Sequence, residues 1–299
     1  MSRQDLLLWV FCLIDDELQA LNLTPRRLRT RGPAATALTD AEVITIALVG
    51  EFWGLDADRA IVRHFRDYHA AEFPALARVH RTTFARQAAN LWAVQQALHR
   101  RLADRLTAGR PLWLIDSFPL PVCQFARATF RERFAGQADY GYDHCVKRTM
   151  YGFRVHLRTD AAGVIQAFEV APARASDKAL LPELAGRPGT VGIGDRGYYA
   201  PDLAAELAAA GVRFLTPYLH KSKEPDPKRA AALAAIRYRL ETVNGQLADR
   251  YHAKRTWARD LWHLQSRVTR KVLSHTAMAW LTRQHGHHTL SFDNLQMAA

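Results

Sequence analysis

The alternation of apolar and polar positions divides the chain into a helical first part and a second part that mixes strands with helices. Up to about residue 105, apolar residues recur at spacings of three and four, which is typical of amphipathic helices. One such helix is predicted after Thr39, because Glu42 follows three residues later in a capping-box pattern. This region could be a helix-turn-helix DNA reader or a plain helical scaffold.

From about residue 111 the chain changes to short apolar runs and alternating segments. The run 112–118 is typical of a strand buried on both faces, although Asp116 lies inside it. Residues 151–173 alternate and turn at 160–163, which predicts a hairpin. Further strands are predicted at 190–195 and 212–219, and helices after Ser176, from Pro201 to Gly211, after Asp226 and from about Asp260 to Gln284. This order predicts an α/β sheet that begins with an antiparallel meander.

Composition and charge narrow the class of protein. Hydrophobic residues make up 48%, which is enough for a folded core. The net charge of +12 fits either a polyanionic partner such as nucleic acid or a generally basic soluble protein. The three cysteines, Cys12, Cys123 and Cys145, lack CxxC spacing and fit a reducing cytosol. The apolar run 6–14 is far shorter than the roughly 20 residues of a membrane span, so no membrane association is expected.

Three acidic residues stand out by their places in these elements. Asp116 lies within one predicted strand, Asp195 ends another, and Glu241 lies on the long helix beside its buried leucine stripe. In open α/β sheets, active sites lie at the carboxyl ends of the strands. Three carboxylates there would repel one another, and two Mg²⁺ or Mn²⁺ ions would remove that conflict. Two metal ions held side by side support phosphoryl transfer. Alternatively, Arg237 and Glu241 form an ordinary i, i+4 ion pair.

Four motifs carry a resemblance to a known family: LIDSFPL at the first acid, YGFRVHL on the hairpin, GDRGYY at the second acid and RYRLETVNGQL at the third. With these four motifs in this order, the chain resembles bacterial insertion-sequence transposases that have a DDE catalytic set. It is most similar to insertion-sequence family nine-eight-two, a relative of families four and five. The order of elements resembles the ribonuclease H-like fold. The resemblance covers about residues 35–285 and is strongest from 111 to 250.

The resemblance implies a domain organisation and an activity. A helical N-terminal region, 1–108, would contact the DNA ends of the element, a ribonuclease H-like DDE catalytic domain would span 109–285, and a tail 286–299 would follow. The protein would cleave DNA at the terminal inverted repeats and join the ends to target DNA, as a homodimer on DNA, in the bacterial cytoplasm and on the nucleoid. Asp116, Asp195 and Glu241 would be catalytic and would hold two Mg²⁺ or Mn²⁺ ions.

Candidate DNA contacts are basic residues near these motifs: Arg237, Lys254, Arg255, Arg148 and Arg196. The pattern of family four has a Tyr seven residues before the glutamate, an Arg four before it and a Lys seven after it. Here Arg237 matches, but Ala234 and Ala248 occupy the other two positions. Phosphate contacts would therefore come from elsewhere, for instance Lys254 or Arg255. Asp177, at the start of a predicted helix, is interpreted as a helix-start residue or as support for the site.

The basic run 237–271 interleaves aromatic side chains with nine Lys or Arg: Arg237, Arg239, Arg250, Lys254, Arg255, Arg259, Arg267, Arg270 and Lys271. Basic and aromatic residues in such a mixture suit phosphate contacts and base stacking, although a solvated helix face over an aromatic core would look the same. The segment 127–148 is also basic and aromatic and could line the same groove.

Two weaker patterns are interpreted as structural. GIGDRG matches GxGxxG, but the next predicted helix begins only at Pro201, which disfavours a dinucleotide site. The histidines at 285, 287 and 288 indicate a solvated tail more than a metal site. Two functional alternatives also stay open: a nuclease of the same fold without strand transfer, and a DNA-binding protein without chemistry.

Overall fold

The computed structural model describes residues 1–22, 36–123, 125, 128, 134–143, 146–218 and 226–295. It is a mixed α/β structure that divides into two compact units. One unit comprises 1–102 together with 249–299, and the other comprises 103–248. The predicted domain boundaries at 108 and 285 stay predictions.

Helices form the first part of the chain, and strands begin at Leu112. The helices are α1 (Arg3–Ala20), α2 (Asp40–Phe52), α3 (Asp58–Tyr68), α4 (Arg81–Asn90), α5 (Trp92–Thr107), α6 (Leu181–Leu184), α7 (Pro201–Ala209), α8 (Pro227–Asp249) and α9 (Leu261–Gln284). The strands are β1 (Leu112–Cys123), β2 (Asp139–Asp143), β3 (Arg148–Asp160), β4 (Ile165–Pro172), β5 (Val191–Ile193) and β6 (Arg213–Leu215).

The unit that holds α1 to α4 and α9 is helical in the part of the chain described. Thr39 and Glu42 form the predicted capping box of α2, with the Glu42 N–H donating to Thr39 Oγ1 over 3.1 Å. This reciprocal pair satisfies two backbone donors that a helix start leaves free. α2 is buried along nearly its whole length and packs against α1, α3, α4 and α9, so it is the centre of this unit.

The other unit is built on a six-stranded mixed sheet. Its order is β2-β3-β1-β5-β6, and β4 also pairs with β3. β1 runs antiparallel to β3 and parallel to β5, and β6 runs parallel to β5. The predicted hairpin is confirmed as β3 and β4, whereas β2 was not predicted from the sequence.

Both faces of β1 are covered, as its continuous apolar run predicts. On one face Leu114 and Ile193 pack with Leu233 and Leu240 of α8. On the other face Trp113 and Ile115 lie in a second cluster with Leu181, Leu184, Tyr198, Leu207 and Val212. The sheet is therefore a buried middle layer at this point, and a polar side chain on β1 needs a specific partner. Among the helices of the described ranges, none is long and apolar enough to cross a membrane.

Candidate active site

The register between β1 and β5 brings two of the predicted acidic residues to one edge of the sheet. The two strands are parallel, and Leu114 is paired with Ile193. Asp116 lies two residues beyond Leu114, and Asp195 lies two residues beyond Ile193. Since side chains two positions apart on a strand share a face, Asp116 lies on the same face as Leu114. The two aspartates are close enough for the charge of Asp195 to raise the pKa of Asp116.

Asp116 sits in surroundings that disfavour its negative charge. Burial is the largest effect and raises the pKa of Asp116 to about 6, and the charges of Asp195 and Asp177 act in the same direction. The backbone N–H of Ser117 and the positive charge of Arg237 oppose this increase in the pKa. Two neighbouring carboxylates therefore raise the cost of ionising Asp116, and a cation at this edge would lower that cost.

Helix α8 lies over this edge and is tied to Asp116. Asn244 Nδ2 donates a hydrogen bond to Asp116 Oδ2 over 3.0 Å. Glu241 precedes Asn244 by three residues, so the two side chains are neighbours on one side of the helix. Glu241 is exposed, and Arg237 lies one turn further toward the start of the helix. The structure thus places the side of α8 that carries Glu241 next to the strand that carries Asp116.

The chemistry of these side chains fits a hard divalent cation, although the described residues do not form a complete site. All the candidate ligand atoms are oxygens, which Mg²⁺ and Mn²⁺ prefer. Asn244 Oδ1 is buried and has no hydrogen-bond partner within the described part of the chain, so a buried acceptor next to Asp116 is left unsatisfied. Within the described ranges, however, no three His, Cys, Asp or Glu side chains are arranged to hold a metal ion. The assignment of Asp116, Asp195 and Glu241 as ligands stays a prediction.

Asp177 lies closer to this edge than the sequence indicated. It begins a short 3-10 helix, Asp177–Leu180, and accepts a hydrogen bond from Ser117 Oγ over 2.8 Å. Its charge contributes to raising the pKa of Asp116. Ser117, Arg154 and Asn244 belong to the four motifs, but their contacts with the acidic residues were not foreseen. The apolar and polar alternation could have placed Ser117 and Arg154 on a common face, while nothing local in the sequence indicates the partner of Asn244.

The five predicted DNA contacts lie in different surroundings. Arg148 is exposed at the start of β3, and Arg196 is half-buried directly after Asp195. Arg237 is half-buried on α8, and its Nε is buried without a hydrogen-bond partner in the described part of the chain. Lys254 is half-buried and Arg255 is exposed in the segment between α8 and α9. None of these positions tests whether the residue contacts DNA.

Three of the nine basic residues in the run 237–271, for which DNA contact was one of two interpretations, are instead paired inside the protein. Arg270 and Lys271 are only 2% exposed, and both pair with the buried Glu51 of α2. Arg267 pairs with Asp58 over 2.7 Å. These three cations form ion pairs inside the helical unit, since a buried charge without a partner would lower the stability of the fold by several kcal/mol. Part of the segment 127–148 that could line the same groove, namely 127, 129–133, 144 and Cys145, lies outside the described residues.

The first two glycines of GIGDRG are explained by packing against the sheet. A Cβ at Gly192 would lie 2.2 Å from the Trp113 ring, and one at Gly194 would lie 2.8 Å from Phe214. The next α-helix begins only at Pro201, as expected from the sequence. The glycine spacing therefore serves close contact between β5 and its neighbours, which agrees with the interpretation that disfavoured a dinucleotide site.

Similarity to known proteins indicates the family of this chain. Residues 108–260 match a family model described as a transposase DDE domain. No curated protein matches the chain. One solved structure, the cryo-EM structure of a piggyBac transposase synaptic complex with hairpin DNA, is 10% identical; the match covers 97% of this chain and 76% of the other at a TM-score of 0.42.

Proposed function

The chain belongs to the transposase DDE domain family, and on that premise we propose that it cleaves DNA at the ends of a bacterial insertion sequence and joins them to target DNA. We further propose that its relatives are the insertion sequences of family nine-eight-two. The matched region contains all three predicted acids, Asp116, Asp195 and Glu241, together with the sheet and α8 that carry them.

One observation supports this function above the others. The pairing of Leu114 with Ile193 aligns Asp116, which lies within β1, with the end of β5 that leads to Asp195, and the hydrogen bond from Asn244 brings α8 to that point. A paired carboxylate edge beneath a helix that carries a third carboxylate suits the binding of hard cations. The mixed sheet with helices on both faces, which lies within the unit 103–248, also supports the proposed ribonuclease H-like fold of the catalytic part.

We assign roles to the residues as follows. Asp116, Asp195 and Glu241 would hold two Mg²⁺ or Mn²⁺ ions, since transposase DDE domains generally use divalent ions. When bound, such ions activate the attacking water or hydroxyl and stabilise the leaving oxygen of an in-line phosphoryl transfer. Asn244 fixes the orientation of the Asp116 carboxylate, and Arg237 contacts a phosphate or orients Glu241.

The partner in this proposal is DNA, in the form of the terminal inverted repeats of the element and of the target. Arg148, Arg196, Arg237, Lys254 and Arg255 supply phosphate contacts, and the helical region 1–108 contributes to recognition of the ends. The net charge of +12 suits a polyanion of this kind. The protein acts as a homodimer on DNA in the cytoplasm, where it associates with the nucleoid.

Product analysis separates this function from its two alternatives. The purified chain is incubated with Mg²⁺ or Mn²⁺, a DNA duplex that carries the inverted repeats flanking its coding region, and a supercoiled target plasmid. Cleavage at the repeat followed by joined products supports a transposase. Nicked DNA without joined products indicates a nuclease, and binding without cleavage indicates a DNA-binding protein; either result would contradict the proposal.

A further inference from the structure

A second polar cluster lies on the face of β1 opposite Asp116. Ser117 Oγ donates to Asp177 Oδ1 over 2.8 Å, and Arg154 Nη1 donates to Ser117 Oγ over 2.9 Å. Arg154 Nη1 also lies 3.6 Å from Asp177 Oδ1. The hydroxyl of the residue that follows Asp116 is thus held between a cation and a carboxylate.

The fold fixes each member of this cluster independently. Ser117 is paired with His156 across β1 and β3, so Arg154, two residues before His156, shares its face. Arg154 is anchored a second time, since its Nη2 donates to the carbonyl oxygen of Tyr142 over 3.2 Å. Asp177 is held at the start of its 3-10 helix, where Ser176 accepts a hydrogen bond from the Lys178 N–H.

Asp177 also reaches the turn that carries Asp195. The Gly197 N–H donates to Asp195 Oδ1 over 2.8 Å. A Cβ at Gly197 would lie 2.9 Å from Asp195 Oδ1 and 3.3 Å from Asp177 Oδ2. Because Gly197 has no side chain, both carboxylates can lie close to this residue. One oxygen of Asp177 holds the residue after Asp116, and the other lies beside the turn that begins at Asp195.

Arg154 is the cation that balances Asp177. His156 Nδ1 lies 3.5 Å from Asp177 Oδ1, but His156 is fully buried and its pKa is lowered, mainly by that burial. A neutral imidazole leaves the guanidinium of Arg154 as the positive partner of Asp177. The side chains of Arg154 and Asp177 are 15% and 23% exposed, so their pairing is partly shielded from water and stronger than a surface ion pair.

From these contacts we propose that Asp177 is a positioning residue for the reaction: paired with Arg154, it holds Ser117 and lies against the Gly197 turn, so that Asp116 and Asp195 stay at a fixed separation. This inference rests on the proposed function, because it assigns Asp177 a role at that same site. The two aspartates repel each other, and a rigid support is what keeps such a pair together before a cation binds. Asp177 acts through Ser117 and Gly197.

A double-mutant cycle on the full chain tests this role. The variants are Asp177→Asn, Arg154→Gln and the double variant, together with the charge-keeping Arg154→Lys. The matched control is the more exposed pair of Arg174 and Asp139, 3.5 Å apart and 81% and 32% exposed, changed in the same way. The measurements are the single-turnover cleavage rate on end DNA, the affinity for that DNA, and the Mn²⁺ concentration that gives half of the maximal rise in melting temperature.

The inference predicts a specific pattern of results. Asp177→Asn and Arg154→Gln each lower the cleavage rate by about 10- to 100-fold and raise the required Mn²⁺ concentration by a similar factor, as is usual when the support of a metal site is lost. DNA affinity is unchanged, and the double variant is no slower than the slower single variant. Arg154→Lys recovers part of the rate, and the Arg174 and Asp139 variants behave like the wild type.

Three outcomes would overturn the inference while the proposed function stands. The first is a cleavage rate and a Mn²⁺ dependence of Asp177→Asn that equal those of the wild type. The second is an additive loss of cleavage rate in the double variant. The third is a lower melting temperature of the single variants in chelator without a loss of cleavage rate per folded molecule. A wild-type chain that neither cleaves end DNA nor responds to Mn²⁺ would instead overturn the proposed function, and this inference with it.

Discussion

Asn244 of α8 donates a hydrogen bond from Nδ2 to Asp116 Oδ2 of β1 over 3.0 Å, although 128 residues separate them in the chain. Its other amide atom, Oδ1, is buried and has no hydrogen-bond partner among the described residues. A single side chain therefore ties the helix to the acidic edge and leaves a free acceptor there. This contact links the side of α8 that carries Glu241 to the part of β1 that carries Asp116, beside the end of β5 that leads to Asp195.

Replacement of Asn244 by Ala should weaken both the structure and the activity. Asn244→Ala removes a hydrogen bond to an ionised group, which we expect to lower the free energy of unfolding by about 1.5–3 kcal/mol above pH 6. The loss is measured by urea denaturation in chelator. Thr242→Ala is the control, because the Thr242 hydroxyl bonds only weakly, over 3.4 Å, to the Tyr238 carbonyl of its own helix.

The rate of DNA cleavage distinguishes a positional role of Asn244 from a purely structural one. If Asn244 orients Asp116, the rate per folded molecule should fall in Asn244→Ala and stay at the wild-type value in Thr242→Ala. A stable Asn244→Ala variant that cleaves DNA at the wild-type rate would contradict this role.

Asp116 should make the metal-free protein less stable as the pH rises. Its folded pKa of about 6 exceeds the ordinary value of 3.8, so between these values the folded state binds more protons than the unfolded state. By linkage, stability falls as the pH rises through this window and levels off above it. The difference in pKa sets an upper bound of about 3 kcal/mol on the loss.

The measurement is the free energy of unfolding in chelator from pH 4 to 7.5, for the wild type and Asp116→Asn. The variant has no carboxyl group to ionise there, so it should become progressively more stable than the wild type between about pH 4 and 6. Asp202→Asn, an exposed aspartate on α7, is the control and should follow the wild type. Parallel curves for Asp116→Asn and the wild type would argue against a strained carboxylate at this position.

Gly192 should tolerate no side chain, because its Cβ would lie 2.2 Å from the Trp113 ring. We expect Gly192→Ala to lower the free energy of unfolding by about 1–3 kcal/mol through overpacking. Gly245→Ala is the matched control, since Gly245 lies within α8 and a Cβ there would have no heavy atom within 4 Å. It should be neutral or stabilise the protein by up to about 1 kcal/mol. Equal stabilities of the two variants would show that the glycine is not required by packing.

The salt dependence of DNA binding tests the DNA contacts that are predicted for Lys254 and Arg255, in the segment between α8 and α9. Log affinity should fall steeply with log salt, by about 0.9 for each phosphate neutralised. Changing Lys254 and Arg255 together to Ala should flatten the slope by up to about two. Arg213→Ala is the control, because Arg213 begins β6 and so lies at the sheet edge opposite the carboxyl ends. A slope that the double change leaves unaltered would place the phosphate contacts on other residues.

Features encoded by neighbouring residues could be predicted from the sequence. The capping box of Thr39, the hairpin turn at 160–163 and the helix after Asp226 depend on short-range hydrogen bonds and backbone preferences. The placement of Asp116 and Asp195 at one edge was also predictable, because both follow apolar runs that fit parallel strands.

Features that depend on distant partners could not be predicted. Arg270 is part of a basic run that suits DNA, and only the fold reveals Glu51, 219 residues away, as its buried partner. Asp177 follows a hairpin at the start of a short 3-10 helix, and no local pattern indicates that it lies against Ser117. β2 was missed because its short run, with exposed Tyr140 and Tyr142, has no continuous apolar face.

The central claim is that Glu241 joins Asp116 and Asp195 in one catalytic site, and the most direct measurement is single-turnover cleavage of end DNA by Glu241→Gln. The matched control is Glu206→Gln, which changes an exposed glutamate on α7. We expect Glu241→Gln to bind DNA with wild-type affinity and to cleave it about 100-fold or more slowly, because metal-held groups contribute several kcal/mol to transition-state stabilisation. Glu206→Gln should match the wild type. Wild-type cleavage by Glu241→Gln would contradict the claim.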